Sequence, residues 1–181
     1  MTLKAKRLFI AVIVVQIVFL LGIVGYREAI LINGQTAVLQ TVPVDPRDLF
    51  KGEHVILRYE ISTLGDAAIN PVGKRYRLIG DIDEGDTVYV RVPTSENFDQ
   101  GWLVAQTVKP PSDADLFIKG RVTSSKDNII TVEYGIGQYF VPEGRGLEIE
   151  QADDVKVRVR INRSGVAAIE ELIVDDEVWQ P

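Results

Sequence analysis

Two hydrophobic patterns divide the chain. Residues 8–24 (LFIAVIVVQIVFLLGIV) form a run of 17 residues without a charge, in which Gln16 is the only polar side chain. As a helix, this run spans about 26 Å, and Gly25 and Tyr26 extend it toward the ~30 Å hydrocarbon core of a bilayer. The pattern therefore predicts a transmembrane anchor at residues 8–26.

The charges that flank this run predict its orientation. Arg27 follows the run and is offset by Glu28, whereas the residues before the run are basic. Because positive flanks stay on the cytoplasmic side, we expect residues 1–7 in the cytoplasm and the main domain in the periplasm or extracellular space, with the anchor in the cell (inner) membrane. The basic residues before the run are Lys4, Lys6 and Arg7.

A cleaved signal peptide is the alternative interpretation of the apolar run. Its apolar core would be about 7–15 residues long and would end in a small-x-small cleavage site. The run is longer than that, and the segment GIVGYREA that ends it contains no such site. These two differences favour an anchor that is retained.

Beyond the anchor, the hydrophobic period is two rather than 3.6. Val55, Leu57 and Tyr59 alternate with side chains of the opposite face, and this alternation is typical of half-buried strands. We therefore predict an all-β fold, mainly an antiparallel barrel or sandwich, preceded by one N-terminal transmembrane helix. A linker at residues 27–35 would lead into a domain at residues 36–181. The predicted strands are residues 36–42, 54–61, 87–92, 102–108, 116–123, 129–134, 155–161 and 166–174.

The net charge and the lack of cysteine exclude several classes of function. Residues 33–181 carry 16 basic and 25 acidic side chains, so their net charge is −9, and the whole chain has a pI near 4.9. An acidic surface excludes nucleic acid as the partner and is repelled by anionic lipid headgroups. The chain contains no cysteine, which excludes disulfides, thiolate catalysis and cysteine-ligated metals.

Few side chains are suited to catalysis or metal binding. His54 is the only histidine, and the strand alternation places it on the polar face. Residues 81–92 begin like an EF-hand loop, but Gly85 occupies the fifth position and Val92 the twelfth, where oxygen ligands belong. We therefore predict no metal site and no cofactor. The basic side chains of strand 155–161 alternate with valines, and we expect them to pair across strands with acidic residues.

Two stretches combine turn residues, charges and large apolar groups: residues 43–53 and 134–146. Loops that are fixed by buried apolar side chains often carry binding sites. We predict that the two stretches pack together, with Tyr139 and Phe140 beneath the first of them, and that residues 147–151 are either a short helix or irregular. The predicted partner surface consists of Asp45, Arg47, Asp48, Gly52, Glu53, Tyr139 and Glu143.

The same two stretches resemble the GDYXXLXY domain family, membrane-anchored bacterial proteins for which no activity is established. The name pattern maps onto Gly52, Glu53, His54, Leu57 and Tyr59, with Glu53 in place of the aspartate and His54 in place of the tyrosine. A second signature is similar at residues 134–136 and 139–144. The resemblance covers nearly the whole chain. It implies an integral membrane protein as partner and implies no activity.

Three functions are consistent with these features. The first is an accessory or scaffold domain that the lipid bilayer holds through the anchor beside an integral membrane protein. The second is a Ser/Lys-type hydrolase, which needs a serine next to a desolvated lysine. The third is a glycan- or peptide-binding module of the cell envelope that uses Trp102 or Tyr139 as a stacking platform.

The predicted orientation can be tested with fusions after Pro181. Because the basic flank precedes the apolar run, the C-terminus should lie outside the cytoplasm. An alkaline phosphatase fused there should be active, and a fluorescent protein that folds only in the cytoplasm should be dark. The reverse pattern would show that the orientation is wrong.

Overall fold

The computed structural model describes residues 3–42, 54–64, 76–79, 82–92, 102–105, 116–126, 129–142 and 144–180. The helices within these ranges are α1 (Leu3–Asn33), α2 (Gly146–Glu150) and a 3-10 turn (Glu60–Ser62). The strands are β1 (Gln35–Val42), β2 (His54–Ile56), β3 (Arg58–Tyr59), β4 (Thr63–Leu64), β5 (Tyr76–Ile79), β6 (Thr87–Arg91), β7 (Trp102–Ala105), β8 (Phe117–Lys126), β9 (Ile129–Glu133), β10 (Gln138–Phe140), β11 (Val155–Ile161), β12 (Ala167–Val174) and β13 (Glu177–Val178).

The fold class predicted from the pattern is confirmed. Five strands form one sheet in the order β13-β12-β11-β1-β3, six form a second in the order β4-β9-β8-β6-β7-β5, and β10 and β2 form a ribbon. All pairs within the described ranges are antiparallel except β5 with β7. The two larger sheets share one apolar core, as in a sandwich, and no sheet of the described residues closes into a barrel. The edge strands β3, β4 and β13 are only two residues long. They offer too few backbone hydrogen bonds to join the edges of the sheets into a barrel.

The predicted alternation agrees with the burial of the core strands. Val55, Leu57 and Tyr59 are buried and Arg58 is exposed, and every second residue of β11 is buried from Val157 to Ile161. The side chain of His54 lies outside the described set. Burial of one face fixes the register, because a slip of one residue would turn the whole apolar set to solvent.

The basic side chains of β11 are half-buried. Acidic side chains of neighbouring segments cover them, which confirms the expected cross-strand pairing. Such surface pairs usually contribute at most about 1 kcal/mol each to the free energy of folding. They therefore explain why basic side chains alternate along β11, but they do not stabilise the fold strongly. The pairs are Lys156 with Asp154 (2.7 Å) and Asp176 (2.6 Å), Arg158 with Glu171, and Arg160 with Glu170 (2.8 Å).

The segment predicted as one strand at residues 54–61 changes partner in its middle. β2 pairs with β10, whereas β3 pairs with the end of β1, where Tyr59 lies opposite Thr41. Between the two strands, the Leu57 N–H donates to the Gly137 carbonyl (2.9 Å). The chain then enters the 3-10 turn, in which the Ser62 hydroxyl accepts a hydrogen bond from the Tyr59 N–H (3.2 Å). Of the segment at 147–151, which the sequence left as either a short helix or irregular, residues 147–150 are helical as part of α2 and Gln151 is in a turn.

Helix α1 runs into the β-domain almost without interruption. It continues through most of the range 27–35 that the sequence suggested as a linker, and only Gly34 separates it from β1. The Gly34 N–H donates to the Ile30 carbonyl (2.8 Å), and a Cβ at this position would lie 2.5 Å from that oxygen and 3.0 Å from Cβ of Arg160. Glycine is therefore required by this close approach.

The remainder of α1 makes no apolar contact that would bury it. Within the described residues, this is the one helix long and apolar enough to cross a membrane, over Lys6–Asn33, and its apolar window is exposed. Near its end, however, Ile30 is only 2% exposed because that part of the helix packs on β11 and β12. The helix thus has an exposed apolar part and a short docked part.

Candidate functional site

The ribbon of β2 and β10 brings the two signatures together. Ile56 lies opposite Gln138, Val55 opposite Tyr139, and His54 opposite Phe140. The expectation that residues 43–53 pack on residues 134–146 falls partly outside the described residues. The residues that directly follow the first stretch nevertheless pair with the middle of the second stretch, so the described parts of the two signatures form one unit.

Two buried tyrosine hydroxyls hold the two segments of this unit together, because each donates to a backbone carbonyl of the other segment. The Tyr59 hydroxyl donates to the Ile136 carbonyl (2.6 Å), and the Tyr134 hydroxyl donates to the Ile61 carbonyl (2.7 Å). Tyr59 is 2% exposed, and this burial raises its pKa well above the usual range, so it remains a neutral donor. The tyrosine at the end of the first signature therefore holds the turn that opens the second signature.

A second cluster supports the ribbon from the other side. The rings of Tyr139 and Trp179 meet edge to face, with centroids 6.2 Å apart and an interplanar angle of 80°. The Arg145 guanidinium lies 5.0 Å from the centroid of Trp179 and also forms a two-pronged hydrogen bond with Glu148 in α2, with its shortest contact at 2.9 Å. Helix α2 itself is anchored by Ile149, which is buried.

The carboxyl group of this cluster is held in its ionised form. Hydrogen bonds from Arg145 hold the pKa of the Glu148 carboxyl below its usual value. The buried indole N–H of Trp179 also lowers that pKa, although it makes no hydrogen bond of ordinary geometry. The result is an aromatic surface carrying a fixed cation, a combination that is enriched in protein interfaces.

The outer face of the ribbon exposes apolar side chains. Phe140 is 74% exposed and Ile56 is 41% exposed. We expected both Tyr139 and Phe140 beneath residues 43–53, and because those residues lie outside the described ranges, this stays a prediction. Neighbouring residues in a strand point to opposite faces, so the inward Tyr139 forces Phe140 outward.

Only one residue of the predicted partner surface falls within the described part of the chain. It is Tyr139, which is half-buried, packs against the core and contacts Trp179. The contribution of Trp179 was not predicted, because nothing local in the sequence links the end of β13 to the second signature. The predicted site residues outside the described ranges are Asp45, Arg47, Asp48, Gly52, Glu53 and Glu143.

A Ser/Lys-type hydrolase would need a serine next to a desolvated lysine, and the described ranges include residues of both types. Lys119 is exposed on β8. The Ser125 hydroxyl donates to the Ile82 carbonyl (2.8 Å), and Ser62 accepts from Tyr59. Within the described ranges, no three histidine or carboxylate side chains are grouped so that they could hold a metal ion.

The ribbon and α1 lie at opposite ends of β1. Gln35 follows the helix, whereas Val42 pairs with Arg58 next to the ribbon. Seven residue steps along a strand correspond to roughly 23 Å. The apolar surface of the ribbon is therefore held at a fixed distance from the end of the helix.

The tyrosine hydroxyls can be tested by removing each one separately. Tyr59→Phe leaves the buried Ile136 carbonyl without its donor, and Tyr134→Phe does the same to the Ile61 carbonyl. Each variant should lower the free energy of unfolding by about 1–3 kcal/mol, measured by chemical denaturation of the full chain in mild detergent. Tyr139→Phe is the matched control and should change it by less than about 0.5 kcal/mol. Equal small effects in all three variants would contradict the reciprocal bonding.

Comparison with known proteins identifies one family. The family model described as "GDYXXLXY protein" matches residues 16–172, which cover most of α1 and the β-domain through nearly all of β12. Neither the curated proteins nor the solved structures contain a match. The match includes both signatures and the ribbon that joins them, and the chain therefore belongs to the GDYXXLXY family.

Proposed function

We propose that this protein is a single-pass membrane protein whose extracytoplasmic β-domain acts as an accessory or scaffold for an integral membrane partner. The N-terminus would lie in the cytoplasm, and α1 would cross the cell membrane. The ribbon of β2 and β10 would supply the contact surface. The observation that carries the proposal is the exposed apolar face of this ribbon, held at a fixed place relative to an apolar helix.

The helix supports the membrane part of the proposal. Large apolar side chains along its length, from Leu8 to Val24, are exposed. Exposing such a surface to water is unfavourable by about 25 cal/mol per Å². The bilayer is the environment that would remove this cost for a helix of this length and composition.

The ribbon supports the contact part of the proposal. Phe140 and Ile56 are both exposed on one face of a strand ribbon, and Val55 and Tyr139 fix the opposite face to the core. Aromatic residues on a rigid support lose little conformational entropy when they bind.

The position of the ribbon sets a requirement for the partner. The ribbon lies about 23 Å along β1 from the end of α1. A partner that contacts both the transmembrane helix and the ribbon would need a loop or domain of its own that extends beyond the bilayer. This favours a multispanning protein with sizeable extracytoplasmic segments.

Photo-crosslinking in cells tests the proposal directly. A photoreactive amino acid replaces Phe140 in one variant and Glu84, an exposed residue in the turn before β6, in the control. After irradiation and solubilisation in mild detergent, adducts are identified by mass spectrometry. Position 140 should yield one dominant adduct with an integral membrane protein, and position 84 should not.

Two outcomes would contradict the proposal. One is the absence of any adduct specific to position 140, or a specific adduct with only soluble envelope proteins. The other is covalent labelling of the protein by an active-serine probe, which would favour the Ser/Lys-type hydrolase.

A further inference from the structure

The turn between β11 and β12, residues 162–165, lies against the end of α1. The Asn162 side-chain amide donates to the Tyr26 hydroxyl at 3.4 Å, although the two residues are 136 positions apart. We call this segment the β11–β12 turn. It is the point at which the β-domain touches the part of the helix that ends the apolar run.

The β11–β12 turn has a fixed shape. The Asn162 side-chain oxygen accepts hydrogen bonds from the N–H groups of Ser164 (2.9 Å) and Val166 (3.0 Å). Gly165 adopts a φ of 80°, which favours glycine, and its carbonyl accepts a hydrogen bond from the Lys119 N–H (2.8 Å). The turn is thereby fastened to strand β8 of the second sheet.

The helix determines how close this turn would come to lipid. If the span begins at Leu8, about 20 residues of helix reach Arg27 and cross the ~30 Å hydrocarbon core. Tyr26 would then lie at the level where aromatic residues are enriched, beside the lipid headgroups. A side chain in contact with the Tyr26 hydroxyl would lie within the headgroup layer.

Two basic side chains, Arg163 and Lys119, are exposed at this end of the domain. Arg163 and Ser164 form the tip of the turn and are exposed, and so is Lys119 beside Gly165. The nearby Arg160 is already paired with Glu170 (2.8 Å). The domain as a whole carries a charge of −9, counted over residues 33–181, so a cationic tip at this end differs in sign from the average surface.

We propose that the β11–β12 turn is a membrane-surface contact, in which Arg163 and Lys119 bind the phosphate groups of anionic lipids and hold the helix and the β-domain, as one unit, at one tilt relative to the bilayer. This inference rests on the membrane span of the proposed function. It assigns a partner, the lipid headgroup, to a surface distinct from the ribbon. The acidic remainder of the domain would be directed away from the headgroups by the same charge distribution.

Fluorescence quenching by labelled lipids tests this contact. Because the chain has no cysteine, Ser164→Cys provides a unique site for an environment-sensitive fluorophore on the full chain. The protein is reconstituted in nanodiscs of phosphatidylcholine and phosphatidylglycerol that contain a lipid with a nitroxide quencher near the headgroup. Asp153→Cys, exposed just before the other end of β11, is the matched control. Strong quenching is expected at position 164 and only background quenching at position 153.

The lipid-binding residues are tested in the Ser164→Cys background. Arg163→Gln and Lys119→Gln should each shift the equilibrium away from the docked state about fivefold, because a basic residue near an anionic surface contributes about 1 kcal/mol. Nanodiscs of phosphatidylcholine alone should give a larger loss of quenching than either single variant, because they remove the partner of both residues. Circular dichroism of each variant checks that the fold is unchanged.

Extraction with alkaline carbonate separates the failure of this inference from the failure of the membrane span. If the protein stays in the membrane but position 164 is quenched no more than position 153, the lipid contact is wrong and the span stands. Full quenching in a variant that carries both Arg163→Gln and Lys119→Gln would also overturn the roles of these two residues. Release of the protein from the membrane would overturn both proposals.

Discussion

A close approach at Gly34 couples the helix to the β-domain. The residue continues the helical hydrogen bonding through Ile30 and brings its backbone against Arg160 and Ile161, where a side chain would not fit. Strand β1 begins at the next residue, so no flexible linker separates the helix from the sheet. The junction therefore sets the direction of the helix relative to the sheet. The positions of the ribbon and of the β11–β12 turn relative to the helix both follow from this junction.

The residues of the family pattern divide into two groups with different roles. Leu57 and Tyr59 are buried and bind the backbone that opens the second signature, so their part of the pattern maintains the fold. The ribbon that these contacts hold exposes Phe140 and Ile56. The fold-maintaining residues therefore serve to present an apolar surface, and a rigid presentation of this kind reduces the entropic cost of binding.

Much of this fold could be predicted from the sequence, because it rests on local periodicity. Alternation over six or more residues is a strong signal, and it correctly predicted strands such as β1, β11 and β12. Strands of two or three residues, such as β10 and β13, carry no period and were missed. The helix was expected to end near Tyr26 because the apolar run ends there, but tertiary packing of Ile30 carries it seven residues further.

The contacts that define the candidate sites depend on residues far apart in the sequence. The edge-to-face contact of Tyr139 with Trp179, and the contact of Tyr26 with Asn162, arise only when the sheets assemble. The sequence pattern predicted Tyr139 on a functional surface, but it did not distinguish an inward Tyr139 from an outward Phe140. The alternation along β10 determines that difference, and it becomes known only once the strand itself is located.

The central claim is that α1 and the β-domain form one rigid unit, and a distance measurement between two nitroxide labels tests it most directly. Glu28→Cys and Asp153→Cys place the labels on the helix and beyond the far end of β11, and no native cysteine interferes. Double electron–electron resonance on the full chain in nanodiscs should give a single narrow distance distribution. A flexible Gly-Ser insertion after Gly34 is the control that should broaden it. A distribution that is already as broad without the insertion would contradict the rigid junction and the fixed placement of both proposed surfaces.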